Sequence, residues 1–146
     1  MKKGFTLLEL IIVIIILGVL ATLGFTQYGR MVERARGAEA RAILGDVRKF
    51  AAAYKLEYGN LTGMLAANVN IGAPGSDMIP NGCGQSSHYF SYAINTALTP
   101  PYGVNVTATR CVGGGKLPTG TAPAGTLSLW TNTSSGIDNW SSPNGY

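Results

Sequence analysis

The chain has 146 residues, a length that allows one modest domain beside a membrane segment. Its formal net charge is +4, and Lys2 and Lys3 at the N-terminus carry half of that excess. The basic balance is therefore weak evidence for a nucleic-acid partner, and we expect no specific one. Residues 61–146 contain few charges and are rich in Gly, Ser, Thr, Asn and Pro. Such a neutral polar surface suits a domain that is exposed outside the cell.

The N-terminal segment reads MKKGFTLLELIIVIIILGVL and has a single carboxylate, Glu9, at the edge of its apolar run. Residues 10–29 carry no formal charge, and a helix of that length crosses the hydrocarbon core of a bilayer. An ionised carboxylate at mid-membrane costs about 2.5–3.5 kcal/mol on insertion scales, so we expect Glu9 to have a specific role. The MKKG start is unlike a secretory signal, in which the apolar stretch precedes the cut and is discarded.

The order G-F-T-L-L-E-L at the start of an apolar helix resembles the type IV pilins and the related pseudopilins of type II secretion. The resemblance is close over residues 1–60 and includes Gly18. It implies that a membrane aspartic protease cuts after Gly4, that the new terminal Phe5 is N-methylated, and that Phe5 and Glu9 act in assembly. The chain departs from most of the family in having no proline near Thr26.

The proposed roles of Phe5 and Glu9 also have a direct physical basis. After a cut at Gly4 the Phe5 amine is a cation, and Glu9 lies about one helical turn away. In a bundle of such helices, the carboxylate of one subunit can meet the amine of its neighbour. A buried charge without a partner is strongly unfavourable, so this pair would set the axial stagger between subunits. The alternative is a plain single-pass anchor in which Glu9 reaches the membrane interface.

The helix is predicted to continue beyond the membrane because residues 30–58 are amphipathic. Apolar residues recur on one face at helical spacing: Ile43, Val47, Phe50 and Tyr54. Basic residues recur every seven positions on another face: Arg34, Arg41, Arg48 and Lys55. No proline interrupts residues 5–58, which predicts one helix of roughly 80 Å that ends at Gly59. We expect the charged face to be solvated, with a coiled coil as the alternative.

Three short β-rich segments follow, at residues 88–94, 104–110 and 126–131, each bounded by turn residues. Val104, Val106 and Ala108 alternate with polar residues, which indicates a sheet with one buried face. We therefore predict an α+β fold of the pilin type, in which a small antiparallel sheet of three or four strands packs on the long N-terminal helix.

The predicted organisation has three parts. Residues 1–4 form a leader that processing removes, residues 5–29 form a transmembrane and assembly helix, and residues 30–146 form an exported head. The head consists of a helix at 30–58, a connecting loop at 59–87, and a sheet with C-terminal loops at 88–146. Lys2 and Lys3 favour a cytoplasmic N-terminal flank, which places the head outside the cytoplasm.

Cys83 and Cys111 are the two cysteines of the chain, and both lie in the exported part, where disulfides are permitted. One disulfide between them is the simplest interpretation. A metal pair is the alternative, but two cysteines and the single histidine, His88, make a poor zinc site. Asp77 and Asp138 are too few for a calcium site, which needs six to eight oxygen ligands. We expect no metal and no cofactor.

No arrangement of residues indicates catalysis, so we expect no enzymatic activity. The chain lacks a Gly-x-Ser-x-Gly elbow, a Cys/His pair with an orienting group, and a phosphate-binding loop. The run Gly-Gly-Gly-Lys at 113–116 does not have the spacing of such a loop.

The resemblance instead implies a structural subunit of a type IV pilus-like filament. The precursor would be a single-pass protein of the inner membrane, and the product a filament at the cell surface or across the periplasm. The implied partners are copies of itself or related subunits, the prepilin peptidase, an inner-membrane assembly platform, and membrane lipid before assembly. The alternatives are a pseudopilin of a type II secretion system and a membrane-anchored binding or adhesive head that does not polymerise.

Overall fold

The computed structural model describes residues 4–72, 78–84, 88–97, 102–113 and 125–143. Within these residues, one long α-helix is followed by a 3₁₀ helix, a pair of very short strands and a four-stranded antiparallel sheet. This arrangement confirms the predicted α+β fold, in which a long N-terminal helix carries a small sheet.

The helix α1 spans Leu7–Tyr58 and has 52 residues, so it is roughly 80 Å long. It begins two residues later than predicted because Thr6 is its N-cap and has an extended backbone. It ends where the sequence predicts, at Gly59, whose φ of 76° is in the left-handed region that favours glycine. The Gly59 amide donates to the carbonyl oxygen of Lys55 at 2.8 Å. The helix also passes through Thr26 without a break.

The described residues of the connection after α1 contain more regular structure than the predicted loop. It contains a 3₁₀ helix at Ala66–Val69 and two short parallel strands, β1 at Ile71–Gly72 and β2 at Ile79–Pro80. Three of its side chains are buried in the core: Leu61, Met64 and Ile71. The connection thus forms part of the packed head.

The main sheet has the strand order β3-β4-β5-β6, and all neighbours are antiparallel. Its strands are Phe90–Ala97 (β3), Gly103–Arg110 (β4), Thr126–Asn132 (β5) and Asp138–Ser141 (β6). The three predicted strands are therefore present, and β6 is the fourth. Alternate residues of β4 are buried as predicted, because they face α1.

The core lies between α1 and the inner face of this sheet. The helix contributes four buried residues: Ala40, Leu44, Val47 and Ala51. The sheet contributes seven: Phe90, Tyr92, Val104, Val106, Ala108, Leu127 and Leu129. Small alanines at the contact allow the helix to approach the strands closely. The helix therefore packs on the core with the predicted side, but the middle of its buried face differs from the prediction. Ile43, Phe50 and Tyr54 are only partly buried at the edge of the core.

The prediction of a solvated basic face is wrong for the C-terminal part of the helix. Arg48 Nε lies 2.6 Å from Asp138 Oδ2 in β6, and Lys55 Nζ donates to the Thr133 carbonyl oxygen at 3.0 Å. Arg34 and Arg41, nearer the N-terminus in the same row, are exposed as expected. Asp138 is the first residue of β6 and Thr133 follows the end of β5, so the β5–β6 hairpin supplies both partners.

Candidate functional site

The N-terminus of α1 is fixed by a reciprocal pair of hydrogen bonds between Thr6 and Glu9. The Glu9 amide donates to Thr6 Oγ1 at 3.2 Å, and the Thr6 amide donates to Glu9 Oε2 at 2.9 Å. The Thr6 hydroxyl also donates to Glu9 Oε2, at 2.8 Å. This capping box satisfies two backbone donors that the first turn leaves without partners. Glu9, predicted as an assembly residue, is thus also a capping residue.

The Gly4–Phe5 bond lies just outside the helix. Gly4 and Phe5 have no regular secondary structure, and the Phe5 side chain is 85% exposed. A Cβ atom added at Gly4 would meet nothing within 4 Å. The described part of the fold therefore gives no steric reason for a glycine at this position.

The first half of α1 is apolar and has no cover. Its large hydrophobic side chains from Phe5 to Phe25 are between 42% and 85% exposed. Among the described residues, α1 is the one helix that is long and apolar enough to span a membrane. Gly18 and Gly24 lie within this stretch, and a Cβ atom at either would meet nothing within 4 Å.

The helix acquires a buried face at Gly29, and from there Glu33, Gly37 and Ala40 follow at helical spacing. Glu33 is a charged residue in this buried row. Its carboxylate accepts two hydrogen bonds from Arg110 at the end of β4, from Nε to Oε2 at 3.0 Å and from Nη2 to Oε1 at 3.1 Å. The two side chains are 3% and 0% exposed. A paired charge of this kind marks the junction between the exposed helix and the head.

Further contacts complete this junction. Arg110 Nη1 donates to the carbonyl oxygens of Tyr89 at 3.2 Å and of Cys111 at 2.5 Å. Arg36 forms a second ion pair with Glu33, and its guanidinium lies 3.9 Å from the centre of the Tyr89 ring. Both charges of the buried pair therefore have several partners, as burial of an ion pair requires.

The predicted sites do not include the pair of Glu33 and Arg110, although its signal is present in the sequence. Arg110 continues the alternation of Val104, Val106 and Ala108, so the strand period directs it inward. Glu33 lies seven residues before Ala40, on the same helical face. Two inward-facing residues of opposite charge on packed elements indicate an ion pair.

A disulfide joins Cys83 to Cys111, and their Cα atoms are 5.4 Å apart. Cys111 follows Arg110 directly, and its amide donates to the Tyr89 carbonyl oxygen at 2.9 Å. The bond thus ties the connection after α1 to the end of β4. It lies beside the junction rather than near the C-terminus.

The described residues contain no group of three or more His, Cys, Asp or Glu side chains that could hold a metal ion. Asp138, considered above for calcium, instead pairs with Arg48. Four other residues of the sequence analysis lie outside the described part of the chain: Lys2, Lys3, Asp77 and Lys116.

Comparison with known proteins finds two similarities. Residues 1–25 match the family described as the prokaryotic N-terminal methylation motif. A curated relative, the type IV major fimbrial protein FimA of Dichelobacter nodosus, is 33% identical over 79 residues. The chain is type IV pilin-like. The aligned region covers 54% of the pilin-like chain and 47% of the fimbrial protein, so the match spans about half the length of its relative. No solved structure matches the chain significantly.

Proposed function

We propose that this pilin-like protein is the structural subunit of a type IV pilus-like filament. The observation that carries the proposal is the exposed first half of α1, in which the large apolar side chains up to Phe25 are 42% to 85% exposed. Surface of this extent is unstable in water and needs a cover. Lipid of the inner membrane would supply that cover in the stored precursor, and the helices of neighbouring subunits would supply it in the filament.

The cap of α1 supports processing by a prepilin peptidase after Gly4. The bond to be cut lies in exposed backbone, while the helix begins only after Thr6. Cleavage would therefore leave the helix and its cap intact. It would also place the methylated amine of Phe5 within about one turn of Glu9.

The same cap leaves Glu9 available for a second partner. Both side-chain hydrogen bonds within the chain use Oε2, and Oε1 has no partner among the described residues. We infer that this free oxygen accepts the Phe5 amine of a neighbouring subunit. Only one axial stagger would pair these charges away from water, so Glu9 would select the register of the filament.

The fimbrial relative supports a pilus rather than a secretion pseudopilus, and the methylation motif supports assembly rather than simple anchoring. The proposed partners are copies of this subunit, the prepilin peptidase and an inner-membrane assembly platform. The proposed route runs from a single-pass inner-membrane precursor to a filament at the cell surface.

The decisive test is Glu9→Gln, compared with wild type and with Glu39→Gln as a matched control. Glutamine keeps the size of the side chain and still forms a capping box, so the helix start is preserved. Glu39 is an exposed glutamate farther along the same helix. We expect normal insertion and cutting in all three proteins, and a loss or sharp reduction of filaments in Glu9→Gln alone.

Electron microscopy and an immunoblot of the sheared surface fraction measure filament yield, and a membrane blot measures processing. A plain membrane anchor would behave differently, because removal of the charge would leave its retention and surface display unchanged or improved. Wild-type filament yield from Glu9→Gln would therefore reject the proposed role of the carboxylate.

A further inference from the structure

The outer face of the sheet, opposite α1, carries a row of amides around an indole. In register across the four strands, Asn95 pairs with Asn105, Asn105 with Trp130, and Trp130 with Asn139. The strand neighbours of Asn105 and Trp130 are buried on the other face of the sheet: Val104, Val106, Leu129 and Thr131. The row therefore forms one continuous polar line on the exposed side of the head.

The Trp130 indole lies across the backbone of Gly103 in the adjacent strand. A Cβ atom at position 103 would come within 3.2 Å of Trp130 Cζ2 and 3.0 Å of the Thr131 carbonyl oxygen. A glycine is thus needed for this close approach. Beside the ring is a shallow groove of about 230 Å³, lined by Asn95, Thr96, Gly103, Asn105 and Trp130.

The polar groups of this groove are not used by the fold. The side-chain amides of Asn95 and Asn105 and the indole N–H of Trp130 form no hydrogen bond with any residue that the structure describes. The outward-facing residues of the four described strands also carry no formal charge. The groove consequently offers amide donors, amide acceptors and an aromatic plane, without an ionic partner.

We propose that this groove binds a neutral pyranose sugar, as the end unit of a glycan. Each asparagine amide both donates and accepts, which matches sugar hydroxyls that do the same. The indole combines an apolar face, suited to the C–H face of a pyranose ring, with one polar N–H. A charged ligand would find no opposite charge here. The groove is smaller than the about 300–1,000 Å³ of pockets for drug-sized ligands, so it fits one ring.

A purely structural role for Trp130, in covering Gly103, accounts for the indole but not for the two asparagine amides that line the groove beside it. Asn95 and Asn105 are both exposed. This binding activity would belong to the head and does not depend on filament assembly. The two proposals therefore fail or succeed separately.

The test uses the full chain in zwitterionic detergent micelles, because alkyl-glycoside detergents would themselves present sugars. Methyl β-galactoside, methyl β-glucoside and methyl α-mannoside are titrated as probes, and ¹H–¹⁵N NMR is the readout. We expect a saturable shift with at least one sugar at the Trp130 indole N–H and at the Asn95 and Asn105 side-chain amides. The Trp140 indole, on the opposite side of the sheet, should not move.

Asn105→Ala should weaken this binding by tenfold or more, and Asn95→Ala should do the same if the first variant folds poorly. Thr107→Ala is the matched control, because it changes the same face of the same strand one row away and should bind as wild type. Absence of a saturable shift with all three sugars would overturn the proposal, as would unchanged affinity in both asparagine variants. Shifts that follow protein concentration instead of sugar would identify the face as a contact between copies and would also overturn it.

Discussion

Arg110 donates two hydrogen bonds to the carboxylate of Glu33, Nε to Oε2 at 3.0 Å and Nη2 to Oε1 at 3.1 Å. The pair links the end of β4 to α1 at the level where the helix leaves the head. Because both side chains are almost fully buried, the geometry of the fork is fixed on both sides. The exposed half of α1 is thereby held at a defined position relative to the sheet, which suits the proposed packing of subunits through this helix.

We expect the two halves of this ion pair to respond unequally to mutation. Glu33→Gln should lower the free energy of unfolding by about 3–5 kcal/mol, because it leaves the buried Arg110 cation without an anion. Arg110→Met should cost less, since Glu33 keeps its ion pair with Arg36. Urea unfolding of the head, followed by circular dichroism, measures both variants.

The double variant Glu33→Leu/Arg110→Met is the control for this interpretation. Replacement of a whole buried ion pair by apolar residues of similar volume is often neutral or stabilising. We therefore expect the double variant to be more stable than Glu33→Gln alone. Equal losses in all three variants would show that the two residues act independently of each other.

A chain that lacks residues 1–28 should fold as a soluble monomer. Among the residues whose burial the structure describes, the hydrophobic core begins at Ala40, and those before Gly29 are exposed. Removal of the apolar segment should therefore take away self-association but not the fold. Sedimentation velocity measures the association state. Persistent aggregation of a natively folded truncated chain would contradict the view that the first half of α1 drives assembly.

Loss of the disulfide should destabilise this truncated chain. Cys83 and Cys111 are 28 positions apart in the sequence, and the bond closes the loop between them. In the chain-entropy account, such a loop contributes about 3–4 kcal/mol. We expect Cys83→Ser/Cys111→Ser to lose that amount in urea unfolding. Thiol titration under denaturing, non-reducing conditions should find no free thiol in the parent protein, and two would show that the bond does not form.

The mature protein should begin at Phe5 with a methylated amine. Gly4→Val should leave uncut precursor in the membrane without disturbing the fold, because a side chain at position 4 has open space around it. Gly24→Ala is the control, since it also enters open space but lies far from the cut, and it should be processed normally. N-terminal mass spectrometry provides the measurement, and a mature terminus at Met1 would reject the prepilin interpretation.

The sequence predicts those elements of the fold that follow from one regular repeat of residues or one local signal. The apolar run, the glycine stop and the alternation in β4 each depend on local chemistry, so α1 and the main strands follow directly. The short strand β6 is harder to identify, because its Asp138 and Asn139 have low strand propensity and its pairing with β5 is a tertiary contact.

The pairing of charges could not be predicted in the same way. The heptad spacing of Arg48 and Lys55 indicates one helical face, but it does not show that the β5–β6 hairpin covers that face. The helical repeat places Glu33 on the buried face of α1, and the strand repeat places Arg110 on the buried face of β4. Whether the two side chains meet depends on how the strand and the helix cross. Likewise, the row around Trp130 exists only through the register of four strands.

Alkaline pH should destabilise the head through Tyr92. Burial raises the pKa of the Tyr92 phenol, and the nearby Glu39 carboxylate raises it further. An unfolded chain ionises tyrosine near pH 10, whereas the folded chain holds this proton to higher pH. The unfolded state therefore loses its proton first, and the free energy of unfolding should fall as the pH rises above about 10.

Tyr92→Phe should unfold at a similar urea concentration near pH 7 and show a flatter decline above pH 10. Tyr58→Phe is the comparison: a hydrogen bond with Glu57 also raises the pKa of the Tyr58 phenol, but this side chain is exposed to solvent, so its variant should flatten the decline less than Tyr92→Phe does. Urea unfolding of the truncated chain between about pH 8 and pH 11 provides the comparison. An equally steep decline in Tyr92→Phe would show that other groups cause the alkaline loss.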